Sequence, residues 1–387
     1  MRPLPGGQGL EPRLTVVGIP GHRRTTLFQD AVGEAGLPAA RVVSWRDVLR
    51  GRAEFAAGET VRIDSPGEDP EVDRLLRGVD DPTRVEGTGR WYERFTAAAR
   101  ELGERVRGAG ADLLDAPEEL AVLFDKRLCH GVLEAAGVAV PASPTSGAGA
   151  PAVRGWDDVR ALMAGAGLRR AFVKIAHGSS ASGVLAVDIA GPGRVRAVTS
   201  VERDPAGRLY NSLRVRSYTS ERTVAAVVDT LAPDGLHIER WLAKGTAGGR
   251  PADLRVVVVA GRATHAVVRS SRSPMTNLHL GGVRGDLDRV RAETEASGGS
   301  WSAALALCEQ AAECFPGTHC VGVDLLPSPG WRRFAVCEVN AFGDLLPRLT
   351  GLPGSGAEGL DTYAAQLAAL PGRAARGTGE GVTRAGI

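Results

Sequence analysis

Lysine is nearly missing from this chain. Of 387 residues only Lys126, Lys174 and Lys244 are lysine, against forty-four arginines. Asparagine is as scarce, at Asn211, Asn277 and Asn340. A lysine kept in such a chain is either a chance survivor or marks a place where arginine's wide planar fork cannot replace a compact point charge, as between phosphate oxygens. Four of the six residues cluster in short segments: Asp125-Lys126, Val173-Lys174-Ile175, Thr276-Asn277-Leu278 and Glu338-Val339-Asn340.

Cysteine is sparse too. Cys129, Cys308, Cys314, Cys320 and Cys337 are too few and too scattered for a disulfide framework. The spacing of Cys308, Cys314 and Cys320 is not the close pairing of a zinc site, so all five read as reduced core thiols. Net charge is only +2, which argues against a nucleic-acid binder held by a broad basic field. No apolar run approaches the roughly 20 residues that span a bilayer, and residues 1–7 lack the apolar core of a signal peptide. A cytoplasmic protein is expected, with neither nucleic acid nor membrane as partner. A chain of 387 residues, 43% hydrophobic, predicts two or three packed globular units.

What is present is an alternation of strands and helices. Residues 14–18 read as a buried strand, 24–35 as a helix and 41–45 as a second strand, which predicts a parallel α/β unit. The turn at 18–21 lacks the glycine spacing and acidic partner of a dinucleotide loop. Helices are predicted over 91–107, from an N-cap at Asp115 with Pro117 early in the helix toward Lys126, and over 127–136. Beyond a small-residue loop at 142–155, strands at 171–175 and 183–189 flank a Gly/Ser loop. A helix at 220–231 and a strand at 236–242 follow. A hairpin pairs 254–260 with 263–269 through Gly261-Arg262. A helix at 300–314 precedes strands at 321–326 and 333–340. The Gly- and Arg-rich end from about Pro371 is expected to be disordered.

Three groups of residues carry chemistry. The first is the loop with Gly178, Ser179, Ser180, Ser182 and Gly183. Small residues let backbone N–H groups approach phosphate oxygens, and hydroxyls add donors. Alone this is only a hairpin, but Lys174 on the incoming strand adds a cation suited to a polyphosphate. The second is Glu338 and Asn340, two apart and so on one strand face, with Asp324 on a neighbouring strand. Together they offer hard oxygen ligands of the kind magnesium takes. Carboxylates among apolar runs need a partner, and a salt bridge to an arginine is the alternative. The third is Asp253, Arg255, Arg269 and Asn277 ahead of Gly281-Gly282. The two arginines could converge on phosphate or carboxylate oxygens and Asp253 could hold a ribose hydroxyl. Singly, each arginine reads as a surface residue.

In this order the landmarks resemble the ATP-grasp superfamily, most closely its ribosomal-protein glutamate ligase and glutathione synthetase branch. The resemblance covers about 120–350. Its landmarks are Asp125-Lys126 before a helix ending at Gly137 and Pro141; Lys174 with the Gly/Ser loop; Glu239-Arg240-Trp241-Leu242; Asp253-Leu254-Arg255; Asn277 with Gly281-Gly282; Asp324; and Glu338-Val339-Asn340. It implies an α/β (α+β) ATP-grasp fold. A pre-ATP-grasp α/β domain would occupy 1–115. Two α+β subdomains, 116–240 and 241–370, would clasp ATP between them, ahead of a tail at 371–387. Lys126 and Lys174 would touch the α- and β-phosphates, and the 178–183 loop would close over them as a lid. Glu239, Arg240, Trp241 and Leu242 would form the adenine-reading hinge, with Asp253 at the ribose. Arg255, Arg269 and Asn277 would act as catalytic residues near the γ-phosphate and acyl group. Asp324, Glu338 and Asn340 would hold one or two magnesium ions, with manganese as a substitute.

Two features depart from the pattern. The serine-rich lid copies no single member's loop, and the run from Ala341 to Pro347 replaces a short Ser/Thr-Pro-Gly turn. The resemblance fixes no role for Lys244, which reads equally as a solvated loop lysine or a phosphate contact. The implied reaction is amide or peptide bond formation. A carboxylate attacks the γ-phosphate of ATP, giving an acyl phosphate and ADP, and an amine then displaces phosphate. The substrates would be a small-molecule or peptide carboxylate and an amine acceptor. The rivals are an ATP-grasp kinase acting on a hydroxyl and a non-catalytic nucleotide-binding partner; the complete set Asp324, Glu338 and Asn340 speaks against the latter. Substrate choice is expected from residues 14–115 and from loops at 199–219 and 270–290, with Arg214, Arg216 and Arg272 as candidate carboxylate grips. The oligomeric state is open, a homo-oligomer included.

Overall fold

The computed structural model describes residues 12–179, 181–191, 193–342, 346 and 349–370. Ser180 of the expected lid and the expected tail at 371–387 lie outside the described residues. The first unit is built from β1 (Arg13–Gly18), α1 (Arg23–Glu34), β2 (Arg41–Ser44), α2 (Trp45–Leu49), β3 (Glu59–Ile63), α3 (Pro70–Arg77), α4 (Thr88–Gly108) and β4 (Asp112–Leu113). Its strands form a parallel sheet in the order β2-β1-β3-β4. β1 is apolar on both faces, as a strand covered on both sides must be. Val16 packs with Phe28 and Val32, whereas Val17 packs with Trp45, Phe95 and Leu102.

The chain continues through α5 (Pro117–Leu123), α6 (Lys126–Ala135) and α7 (Trp156–Gly165) into a second sheet. Its strands are β5 (Arg170–Ile175), β6 (Val184–Gly191), β7 (Arg194–Arg203) and β8 (Leu209–Tyr218), then α8 (Glu221–Leu231) and β9 (Leu236–Arg240). The order is β8-β7-β6-β5-β9, antiparallel throughout. Val173, Ile175 and Ile238 turn one face onto Val159, Met163, Val224 and Leu231 of α7 and α8. The opposite face presents Phe172 paired with Glu239 and Lys174 paired with His237. Residues 199–219, expected as a substrate loop, are instead mostly the β7–β8 hairpin. Val195, Ala197 and Val201 alternate inward along β7, and the reversal closes through Gly207, whose N–H donates to Asp204 O.

The third sheet joins β10 (Thr246–Ala247), β11 (Arg250–Val259), β12 (Arg262–Ser270), β13 (Val283–Arg284), β14 (Cys320–Pro327) and β15 (Phe334–Ala341). The order is β13-β12-β11-β14-β15, with β10 on β11. Ala260 and Gly261 both have positive φ (47° and 79°) and make the β11–β12 turn, one residue earlier than expected. Between β13 and β14 run α9 (Leu287–Ala296) and α10 (Trp301–Glu313), and α11 (Thr362–Ala368) closes the described chain. Leu254, Val256, Val323 and Leu325 pack under Ala304, Cys308 and Ala311 of α10, and Cys129 and Leu133 of α6 join the same core. All five cysteines are free thiols. Among the described residues no helix is long and apolar enough to cross a membrane.

Candidate functional site

The charged faces of the second and third sheets meet. Asp125 caps α6, its carboxylate accepting the N–H groups of Arg127 and Leu128, and the Lys126 N–H donates to Ala176 O just past β5. That cap sets Lys126 at the first helical position, from which Nζ reaches Glu338 Oε2 at 2.8 Å. Lys174 Nζ lies 2.5 Å from Glu239 Oε1 and 3.4 Å from Cys337 Sγ across the cleft. About 320 Å³ of space, counting the part open to solvent, remains among Lys126, Lys174, His237, Glu239, Cys337 and Glu338.

Glu239 is 2% exposed. Burial opposes its charge, but the Lys174 ammonium and His237 outweigh it and hold the carboxyl at about 2. Its Oε2 is buried and accepts no hydrogen bond; His237 Nε2 is 3.5 Å away, and His237 Nδ1 faces Thr145 Oγ1 at 3.1 Å. Burial lowers His237 more than the Glu239 carboxylate raises it. A buried acceptor without a donor is uncommon, and it is an atom a ligand's amino group would satisfy.

The expected metal trio comes together. Asp324 on β14 stands directly opposite Glu338 on β15, and Asn340 Nδ2 lies 3.4 Å from Glu338 Oε1. The register shifts after Asp324, so Cys337 is the extra residue of a β-bulge. The bulge turns Cys337 and Glu338 toward the cleft together, the re-aiming such bulges perform. Asp324 is also gripped by arginines: Arg255 at 2.5 and 3.0 Å and Arg269 at 2.8 Å. Burial and the facing charge of Glu338 nevertheless raise its pKa. Burial opposes ionisation of Glu338 as well, but Lys126 and Lys174 pull it well below the usual range. Among the described residues no three His, Cys, Asp or Glu side chains are grouped to hold a metal. The trio supplies two carboxylates and an amide, and a divalent cation between the carboxylates would relieve their repulsion.

Asp253 is 4% exposed. Its Oδ1 accepts from Arg269 at 2.9 Å, and its Oδ2 from Lys244 at 3.1 Å and from Thr276. Lys244 is thus no solvated loop lysine. Asn277 sits in the segment 271–282, closed by Leu280 and Gly282 N–H groups donating to Asn277 O. In the segment expected as a lid, Ser182 N–H donates to Ser179 O at 2.8 Å, and Ala181 and Gly183 have φ of 58° and 64°. Of the residues expected as a hinge, Arg240 is exposed and its N–H donates to Ala142 O. Trp241 lies under the Arg170 guanidinium, 3.8 Å from the ring centroid, and Leu242 is half-buried.

Sequence reasoning misses His237 and Cys337. The two-residue step from His237 to Glu239 is the available signal for the first. Nothing in the sequence marks the bulge that aims the second.

No protein-family model matches the chain, and no curated protein matches it. The fold is similar to that of solved ATP-grasp ligases, here with an α/β unit ahead of the second and third sheets. Among solved structures it is similar to the ATP-grasp ligase PsnB complexed with a phosphomimetic variant of its minimal precursor, Mg and ADP, with 16% identity, a TM-score of 0.51 and coverage of 92% of this chain and 96% of that one. The PsnB complex with precursor peptide PsnA2 and AMPPNP has 15% identity, a TM-score of 0.50 and coverage of 93% and 97%. The ADP complex of PurK, an N5-carboxyaminoimidazole ribonucleotide synthetase, has 12% identity, a TM-score of 0.51 and coverage of 85% and 70%. At these identities the likeness is one of fold.

Proposed function

We propose that this chain is an ATP-dependent carboxylate–amine ligase, forming an amide or peptide bond on an amino acid or peptide through an acyl phosphate. One observation carries the reading: Lys126 and Lys174 meet Glu338 in a single buried cleft, with Asp324 directly opposite on the adjacent strand. Phosphoryl transfer depends on positioning and charge neutralisation more than on covalent help, and this cleft concentrates cations beside oxygen ligands. The PsnB complexes with Mg and ADP and with AMPPNP, and the ADP complex of PurK, support ATP and magnesium as the cofactors. The closer tie to the ribosomal-protein glutamate ligase and glutathione synthetase branch rests on the motif order alone.

Each residue has a role in this reading. The orphaned Glu239 Oε2 would accept the adenine amino group at the hinge. Lys174 and Lys126 would hold phosphate oxygens, Lys126 leaving Glu338 to do so. Asp324, Glu338 and Asn340 would hold magnesium, whose charge would offset that of the phosphates. Arg255 and Arg269, braced on Asp324, would face the charge that develops as the carboxylate attacks. The 178–183 lid would keep water from the acyl phosphate. Hydroxylamine added with ATP, magnesium and a panel of amino acids and acidic peptides should yield a hydroxamate and ADP. A blank across a broad panel counts against the ligase, and ADP with a phosphorylated product but no free phosphate would make it a kinase.

A further inference from the structure

The last lysine of the chain falls outside these roles, and its contacts are specific. The Lys244 side chain is 8% exposed. Its Nζ donates to three acceptors on two stretches of chain: Asp253 Oδ2 at 3.1 Å on β11, and Thr276 Oγ1 at 3.1 Å and Pro274 O at 3.3 Å in the segment 271–282. Thr276 Oγ1 also donates to Asp253. Asp253 is held on its other oxygen by Arg269, which passes on to Asp324. One end of the segment 271–282 is thereby tied to the carboxylates of the third sheet. Met275, between the two clasped residues, and Leu280 further along pack in one apolar cluster with Val184 and Ala186 of the second sheet, joined by Phe172, Trp241 and Ala181. The segment thus reaches from the third sheet to the second. Gly282 is required where it doubles back, since a Cβ there would lie 2.4 Å from Thr276 O.

We infer that Lys244 is a positioning residue, clasping the segment 271–282 as a strap between the third and second sheets and so fixing where Asn277 sits. The inference rests on the ligase reading for the strap's purpose, but the clasp stands on its own contacts. A compact ammonium with three divergent donors suits three acceptors that a planar guanidinium would not reach together. Removing it leaves Asp253 paired with Arg269, so no buried charge is orphaned.

Hydrogen exchange of 271–282, measured with and without MgAMPPNP, tests it in Lys244→Met and in Thr276→Val, which loosens the strap from its other side. Losing hydrogen bonds to a charged group should speed local exchange by about tenfold or more. Both variants should show this while MgAMPPNP affinity by calorimetry stays within about threefold of wild type. Unchanged exchange in both overturns the clasp. So does a tenfold loss of affinity with exchange unchanged, which would make Lys244 a nucleotide ligand. If wild type fails to bind MgAMPPNP the ligase reading falls, and exchange in the nucleotide-free proteins still decides whether the clasp exists.

Discussion

Lys174→Met removes one charge of a buried pair and keeps the side-chain length. Lys174 and Glu239 are 7% and 2% exposed, with 2.5 Å between Nζ and Oε1. Against burial, the Lys174 ammonium and His237 hold Glu239 at about 2 where a free glutamate sits at 4.5. That depression stabilises the fold by roughly 3 kcal/mol at neutral pH. The unfolded chain binds the extra proton, so the contribution is complete above pH 4.5 and is lost as pH falls toward 2. Breaking a buried pair from one side typically costs about 3–5 kcal/mol, so the two routes agree. Urea unfolding of Lys174→Met at pH 7 should show a loss of roughly 3–5 kcal/mol. The loss should shrink near pH 4, where Glu239 freed of its partner can take up a proton. The double variant Lys174→Met/Glu239→Gln should recover part of the loss, because neither charge is then left buried alone. A loss under about 1 kcal/mol at pH 7, or strict additivity in the double variant, would refute the reasoning.

Three further outcomes follow from the same geometry. Asp115, buried and bonded to the Ile63 N–H at 3.2 Å, is pushed up to about 6 by burial, which outweighs the pull of Arg62. A raised carboxyl destabilises the fold above its folded pKa, so Asp115→Asn should gain up to about 3 kcal/mol at pH 8 and progressively less toward pH 4 in thermal unfolding. Gly183→Ala puts a Cβ 2.1 Å from Ile175 side-chain carbons at a φ of 64°; a loss of about 1–3 kcal/mol in thermal unfolding is expected. Glu338→Gln removes the carboxylate opposite Asp324, and calorimetry with magnesium against EDTA should show nucleotide binding that no longer depends on the metal.

Much of the site was legible because strand periodicity is local. Glu338 and Asn340 two apart, and Lys174 ahead of a Gly/Ser turn, already place charge on one face of a core strand. The pairings were not legible. That Arg255 stands opposite Asp324, and Asp324 opposite Glu338, depends on register between strands far apart in the chain, and forty-four arginines offer no way to choose. The bulge at Cys337 is equally silent in sequence. β8 was missed because it is an edge strand: Leu213 is 75% exposed and the strand carries no clean alternation of buried and exposed residues. α9 buries only Val290 and Thr294, too little apolar periodicity to announce a helix.

A crystal structure with MgAMPPNP tests the central claim most directly. The metal is expected between Asp324 and Glu338, the phosphates within reach of Lys126 and Lys174, and the base amino group on Glu239 Oε2. Nucleotide bound elsewhere, or a cleft that admits none at millimolar concentration, would contradict it.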